Sequence, residues 1–393
     1  MASCTITMRA GVSHEFGYRS ESRACYLERH RLLPRPRRRR ATVRLCLAIT
    51  LSLAVIAAIA WWAAQSQLTL TLRVIGNKLV DERGSPIRLL GIDRSGTEYA
   101  CNHGRFTDGP TDKQSITAMT SWRINALRIP LNEDCWLGIN GPPARYGGAQ
   151  YRAAIRAYVT RLHQAGLYVI LDLHWNAPGR ARATGQQPMA DLDHSVAFWS
   201  SVARVFKADP AVAFDLYNEP YGISWKCWRD GCILPEGWRT AGMQALVKAV
   251  RSMGARQPII ASGLDSGNDL TQWLRYRPYD PAGQLAAGFH AYNFMPCHTV
   301  ACWNKVITQV ARRVPVVTTE MGEVGCTDAF INSFMSWADP VGVSYLGWSW
   351  NPAGCGAPAL ITSWNGQPTG YGKGLRAHLI KLSSQQGRGS EGA

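Results

Sequence analysis

Eight short apolar, β-rich runs recur between residues 68 and 382 of this 393-residue chain, most of them followed by a stretch with apolar residues at helical spacing. The runs are LLGIDRS (89–95), NALRIPL (125–131), YVILDLH (168–174), VAFDLYNE (212–219), PIIASG (258–263), LAAGFHAYN (285–293), PVVTTE (315–320) and YLGWSW (345–350). Strands this uniformly apolar need cover on both faces, the condition of a parallel sheet wrapped by helices. Helical periodicity falls at 112–122, 151–165, 195–206, 238–253, 301–312 and 328–337, more weakly at 269–276, and again at 370–382. Eight strand–helix units in one span without a Pro/Ser linker predict an α/β fold of the (β/α)8 TIM barrel type, occupying residues 68–385. No GxGxxG follows the first strand, which disfavours a dinucleotide-binding sheet. A short N-terminal β-hairpin, LRVIGNKLVDERGSPIRL (72–89), precedes the barrel, with Gly76-Asn77 and Gly84-Ser85 as turn signals.

The formal net charge of +16 points first to nucleic acid, but its placement argues otherwise. Eleven arginines against Glu15, Glu21 and Glu28 put half of that excess in residues 1–44. That basic segment abuts 20 uncharged residues at 45–64, LCLAITLSLAVIAAIAWWAA, long enough as a helix to cross a bilayer. The positive-inside rule then keeps residues 1–44 cytoplasmic and exports the chain beyond the apolar segment. The expectation is a single transmembrane signal-anchor; the alternative is a secretory signal cleaved near Ala63-Ala64. The catalytic part would accordingly be membrane-anchored and extracytoplasmic, or secreted, as a monomer and without a nucleic-acid partner.

Cysteine usage agrees with export. Eight cysteines lie beyond the apolar segment, an even number suited to disulfides in an oxidising compartment, and none has CxxC spacing. All eight fall in loops after the strands. Pairing within loops and between neighbouring loops predicts Cys101–Cys135, Cys227–Cys232, Cys297–Cys302 and Cys326–Cys355.

Barrel enzymes gather their chemistry at the C-terminal ends of the strands. Those positions hold Arg128, His174-Trp175, Asn218-Glu219, His290-Ala291-Tyr292, Glu320 and Trp348-Ser349-Trp350. Glu219 and Glu320, on the fourth and seventh strands, would face each other across the mouth. Two opposed carboxylates are what retaining glycoside hydrolysis requires. Glu323, past the strand end, reads as structural. The abundance of tryptophan near strand ends suits stacking on sugar rings, with Trp175 and Trp350 expected as platforms and Trp136 or Trp228 as further candidates. Trp122, Trp199, Trp238, Trp273 and Trp337 are expected to pack on helices.

LYNEP (216–220) and VVTTEMGE (316–323), with NALRIP, DLH, HAY and WSWNP in the same order, resemble the signatures of glycoside hydrolase family five, the cellulase-type barrels. The resemblance spans the whole exported part. It implies that Glu219 is the general acid/base and Glu320 the nucleophile, with Asn218 bonding the sugar 2-hydroxyl. It also implies that Arg128 and Tyr292 hold Glu320, that His174 and His290 line the same subsite, and that Trp350 is the sugar floor. The activity implied is endo-acting hydrolysis of a β-linked polysaccharide, most simply a β-1,4-glucan, without metal or cofactor. A β-mannan or a glycolipid glycan is the alternative substrate, and the loops at 180–189, 225–232 and 296–303 would set the choice. Two other readings stay open: a non-catalytic sugar-binding barrel, and a metal-dependent hydrolase using His174, His290 and a glutamate.

Overall fold

The computed structural model describes residues 70–390. The basic segment at 1–44 and the apolar segment at 45–64 lie outside them, and among the described residues no helix is long and apolar enough to cross a membrane. The chain enters through β1 (Arg73–Ile75) and β2 (Lys78–Val80), antiparallel across Gly76-Asn77, where Gly76 takes a φ of +60° that a Cβ would disfavour. β3 (Pro86–Ile87) extends this hairpin to three strands.

Eight barrel strands come next: β4 (Leu90–Asp93), β5 (Ala126–Asn132), β6 (Tyr168–Trp175), β7 (Val212–Asp215), β8 (Ile259–Ser262), β9 (Leu285–Tyr292), β10 (Val316–Gly322) and β11 (Ser344–Gly347). Each pairs in parallel with its sequence neighbours, and β11 pairs with β4 to close the barrel. Each of the eight apolar runs therefore forms one barrel strand. Gly91 is needed at the β4–β5 seam, since a Cβ there would meet the Ala126 carbonyl oxygen at 2.0 Å. A last short hairpin, β12 (Ile361–Ser363) with β13 (Gln367–Pro368), precedes the terminal helix Gly370–Ser390.

Side-chain alternation divides the barrel interior into layers. Ala126, Ile170, Ala213, Ile260, Ala286, Val317 and Leu346 form an apolar floor, closed from below by Leu72, Val74 and Leu79 of the hairpin. Two residues further along the same faces stand Arg128, Asp172, Asp215 and Ser262, all buried. The outward residues of the strands, among them Leu127, Leu171, Phe214 and Phe289, pack with the helices in the main core. Burying one such side chain contributes roughly 1.5–3 kcal/mol, which is why the floor and outer core can carry a charged layer above them.

Two helical expectations shift. The stretch at 301–312 is split into Val300–Cys302, a π-turn at Trp303–Ile307 and Thr308–Ala311. The helix expected from 238 starts only at Gly242, because Leu234 and Gly237 close a turn that leaves half-buried Trp238 before it. All four expected disulfides are present. In the chain-entropy picture, a bridge spanning 34 residues, as Cys101–Cys135 does, contributes about 3–4 kcal/mol.

Candidate active site

The site is organised around one buried cation. From β5, Arg128 Nη1 donates to Asp93 Oδ1 on β4 at 3.0 Å and to Glu320 Oε1 on β10 at 2.9 Å. Its Nε donates to Asp215 Oδ2 at 3.0 Å, and its Nη2 to Asn218 Oδ1 at 2.7 Å, with Asp172 Oδ2 at 3.1 Å. The planar guanidinium thus uses its whole fork to fix four carboxylates and an amide. Burial works to discharge Arg128, but the surrounding carboxylates outweigh it and raise its pKa further. Four carboxylates exceed one positive charge, and burial lifts the Asp215 carboxyl to about 8 and Asp93 well above its ordinary value. Asp93, Asp172 and Asp215 were not singled out from sequence. The available signal was an aspartate inside or ending an otherwise apolar strand, three times over.

Past β7 the chain stays in the curve of the sheet: Leu216 N bonds Ile260 O on one side and Asn218 N bonds Leu173 O on the other. This carries Glu219 to the mouth opposite Glu320. One carboxylate oxygen from each, and a ring nitrogen of His290, all lie within 4.8 Å of one another. Both Glu320 oxygens are acceptors, Oε1 from Arg128 and Oε2 from the Tyr292 hydroxyl at 2.6 Å. Burial, followed by Glu320 and Glu219, raises Tyr292 well above the usual phenol range, so it keeps the proton it donates.

Glu219 is held differently. Burial pushes its carboxyl up to about 7, against the lowering influence of His174 and Arg128. His290 Nδ1 lies 3.0 Å from Glu219 Oε1, and burial lowers the imidazole to about 4, leaving it neutral at pH 7. His174 is the opposite case: burial lowers it, but Asp172, 2.7 Å from Nδ1, raises it above its ordinary value. The mouth therefore sets a carboxylic acid that keeps its proton near neutrality against a carboxylate anchored by an arginine and a tyrosine. Glu219, Glu320 and His290 are also close enough to chelate a cation, though Arg128, Tyr292 and Thr319 already engage Glu320 and His290. His174 is outside that trio.

The aromatic assignment needs correction at Trp350, Trp136 and Trp228. Trp350 is fully buried, with its ring 4.8 Å from Trp122 and edge-on to it, and Gly366 backs the indole. It is core, because Trp122 and Gly366 close an apolar pocket around its ring. Trp348 faces the mouth instead, half-exposed and stacked on His174 at 5.3 Å with the planes 3° apart. Trp175 is also half-exposed, 6.1 Å from Tyr99. Trp136 and Trp228 are fully buried, the former among Tyr151, Phe198 and Phe206, the latter donating to Ser262 O at 2.9 Å, so neither is a platform. Phe294, 61% exposed and stacked on Tyr292, and Gln186, which accepts from Asn218 Nδ2 at 3.1 Å, join the mouth unforeseen. Glu323 is structural as expected, accepting from Thr327 Oγ1 and from Phe330 N at the start of helix Ala329–Val341.

If Glu219 must be protonated to act, activity is lost as pH rises through its raised pKa of about 7. The expected kcat/KM profile falls above about pH 7, and Glu219→Gln removes that alkaline limb along with about 10²–10⁴-fold of the rate. A wild-type profile flat to pH 9, or an unchanged limb in the variant, contradicts this role.

A closed (β/α)8 barrel with opposed glutamates at its C-terminal mouth defines the glycoside hydrolase class of site. The family model "Cellulase (glycosyl hydrolase family 5)" matches residues 80–354, and the chain belongs to that family. It is 24% identical over 301 residues to the endoglucanase CelA of Streptomyces lividans, covering 74% of this chain and 58% of that protein. It is likewise 24% identical over 289 residues to a mannan endo-1,4-beta-mannosidase of Salipaludibacillus agaradhaerens, covering 70% and 80%. The fold matches the crystal structure of a β-glucanase from Saccharophagus degradans with a TM-score of 0.63 at 19% identity, over 80% of this chain and 94% of that one. The chain thus spans little more than half the length of the Streptomyces relative.

Proposed function

We propose that the protein is an endo-acting hydrolase of β-1,4-linked glucan that works by double displacement. Glu320 attacks the anomeric carbon and forms a glycosyl ester, while Glu219 gives its proton to the departing glycosidic oxygen. Glu219, now ionised, takes a proton from water, whose oxygen displaces Glu320 and restores both carboxyl groups with net retention. Asn218, steered by Arg128 and Gln186, offers its amide to the sugar beside the bond that breaks. Trp175 and Trp348 supply aromatic faces for the flanking sugars.

The observation that carries this reading is the unequal pair: Glu219 raised to about 7 by burial, and Glu320 accepting from Arg128 and Tyr292. The substrate preference leans on the endoglucanase and β-glucanase among its relatives, and a β-mannan is the second reading because a mannosidase is among them too. We place the activity outside the cytoplasm, supported by the four disulfides and the basic-then-apolar order of residues 1–64.

The test is a reducing-sugar assay on soluble cellulose derivatives, mannan, xylan and β-1,3-glucan, with wild type, Glu219→Gln and Glu320→Ala. Release by wild type is expected to be greatest on β-1,4-glucan and to fall at least about 10²-fold in each variant. Greatest release on mannan reassigns the substrate, and release retained in both variants removes the two-carboxylate mechanism.

A further inference from the structure

A second group of acidic side chains lies away from the mouth, where the loop after β6 meets the short helix Glu133–Leu137. Glu133 and Asp191 are fully buried, and His194 closes the group with a side chain 23% exposed. His194 Nδ1 stands 3.7 Å from Asp191 Oδ1 and 3.9 Å from Glu133 Oε1, and one atom from each of the three residues fits within a 4.8 Å span. Neither carboxylate is paired with an arginine or lysine among the described residues.

Three of the four carboxylate oxygens accept hydrogen bonds from neighbouring groups, Asp191 Oδ1 on the His194 side among them. Ser195 Oγ donates to Glu133 Oε2 at 2.5 Å and to Asp191 Oδ2 at 3.2 Å, and Asn176 Nδ2 donates to Asp191 Oδ2 at 2.8 Å. His194 N donates to Asp191 Oδ1 at 2.7 Å. Glu133 Oε1 is the exception: buried, it takes no donor from the residues around it. Burial, followed by the Asp191 carboxyl with which Glu133 shares a side-chain hydrogen bond, raises the Glu133 carboxyl well above its ordinary value, and Oε1 faces the space that His194 and Asp191 share. The Ala177 carbonyl oxygen, 3.3 Å from the same His194 nitrogen, is a fourth donor within reach.

We infer that Glu133, Asp191 and His194 form a structural site for a divalent transition-metal ion of the zinc kind. Ligands about 2.1 Å from a tetrahedral centre lie about 3.4 Å apart, so spacings of 3.7 and 3.9 Å need to close by only a few tenths of an ångström. Two carboxylates supply the charge, and the imidazole favours zinc over calcium or magnesium. Ser195 and Asn176 act as the outer partners that orient the ligands. Asn176 also accepts from the Tyr217 hydroxyl at 2.8 Å, next to Asn218 and Glu219. The ion would thereby pin both ends of the 176–194 loop, which carries Gln186 to the mouth.

The protein, stripped with chelator and dialysed, is titrated with Zn²⁺ by calorimetry and metal analysis, alongside its thermal unfolding. Wild type is expected to bind one Zn²⁺ per chain with a rise in Tm. Glu219→Gln, which cripples the other metal-capable group, is expected to bind one as well. His194→Ala, at a partly exposed position, is expected to fold but to bind none. Glu133→Gln, of nearly the same shape, is expected to lose the ion while keeping the chelated wild-type Tm or exceeding it. No Zn²⁺ bound by wild type, binding intact in His194→Ala and Glu133→Gln, or binding lost in Glu219→Gln would each overturn the proposal.

Discussion

Glu320→Ala is expected to lower kcat on the order of 10⁴-fold or more, since it deletes the group proposed to form the covalent bond. Azide, small and anionic, can enter the space vacated by the carboxylate and attack the anomeric carbon from that face. Rescue should therefore give a glycosyl azide of inverted configuration, read by NMR of the product, on a substrate with a good leaving group. The fold should survive, because Arg128 keeps Asp93, Asp172 and Asp215 as partners. A variant that retains most of its activity, or an azide product of retained configuration, would remove Glu320 from the nucleophile's role.

The second large effect is at Arg128. Arg128→Met keeps the stem's bulk and takes the guanidinium from Asp93, Asp172, Asp215 and Glu320, all of them bonded to it. Breaking a buried ion pair from one side costs about 3–5 kcal/mol, a large share of the roughly 5–15 kcal/mol that holds a domain folded. The expected result is a fall in Tm of roughly 10 °C, together with loss of turnover because Glu320 and Asn218 lose their common anchor. Arg128→Lys should restore little, since an ammonium cannot span donors at five acceptors in three directions. An Arg128→Met protein with wild-type Tm would show that the carboxylates are neutralised by protons alone.

The barrel was legible because its strands are covered on both faces. Runs such as YVILDLH and PVVTTE must be apolar along their whole length, and that uniformity survives in one dimension. Glu219 and Glu320 were legible for a related reason, each ending such a run with a charge that packing does not need. The hairpin showed itself through Gly76-Asn77, where backbone geometry restricts the residue. The four disulfides could be paired from loop adjacency once the strand order was known.

Trp350 marks where such reading stops. It and Trp348 stand two apart in WSWNP, and pattern alone offered no measure of which ring finds an apolar pocket. Trp122 and Gly366, more than 200 residues apart, decided it by making that pocket around Trp350. Trp136 and Trp228 went inward for the same reason. The 301–312 helix likewise looked continuous in periodicity yet carries a π-turn at Trp303, whose indole packs against Phe334 and Trp337.

The sequence by itself determined the number and order of the strands, the rim on which the polar residues collect, and the two glutamates that meet there, because each is a local requirement of covering or ending a strand. Only the tertiary structure decided that Arg128 binds four carboxylates, that burial lifts the Glu219 carboxyl to about 7, and which tryptophan stacks on His174 at the mouth. Those depend on burial and on distances between strands far apart in the chain, and the electrostatic cost of a charge is set by what surrounds it in space.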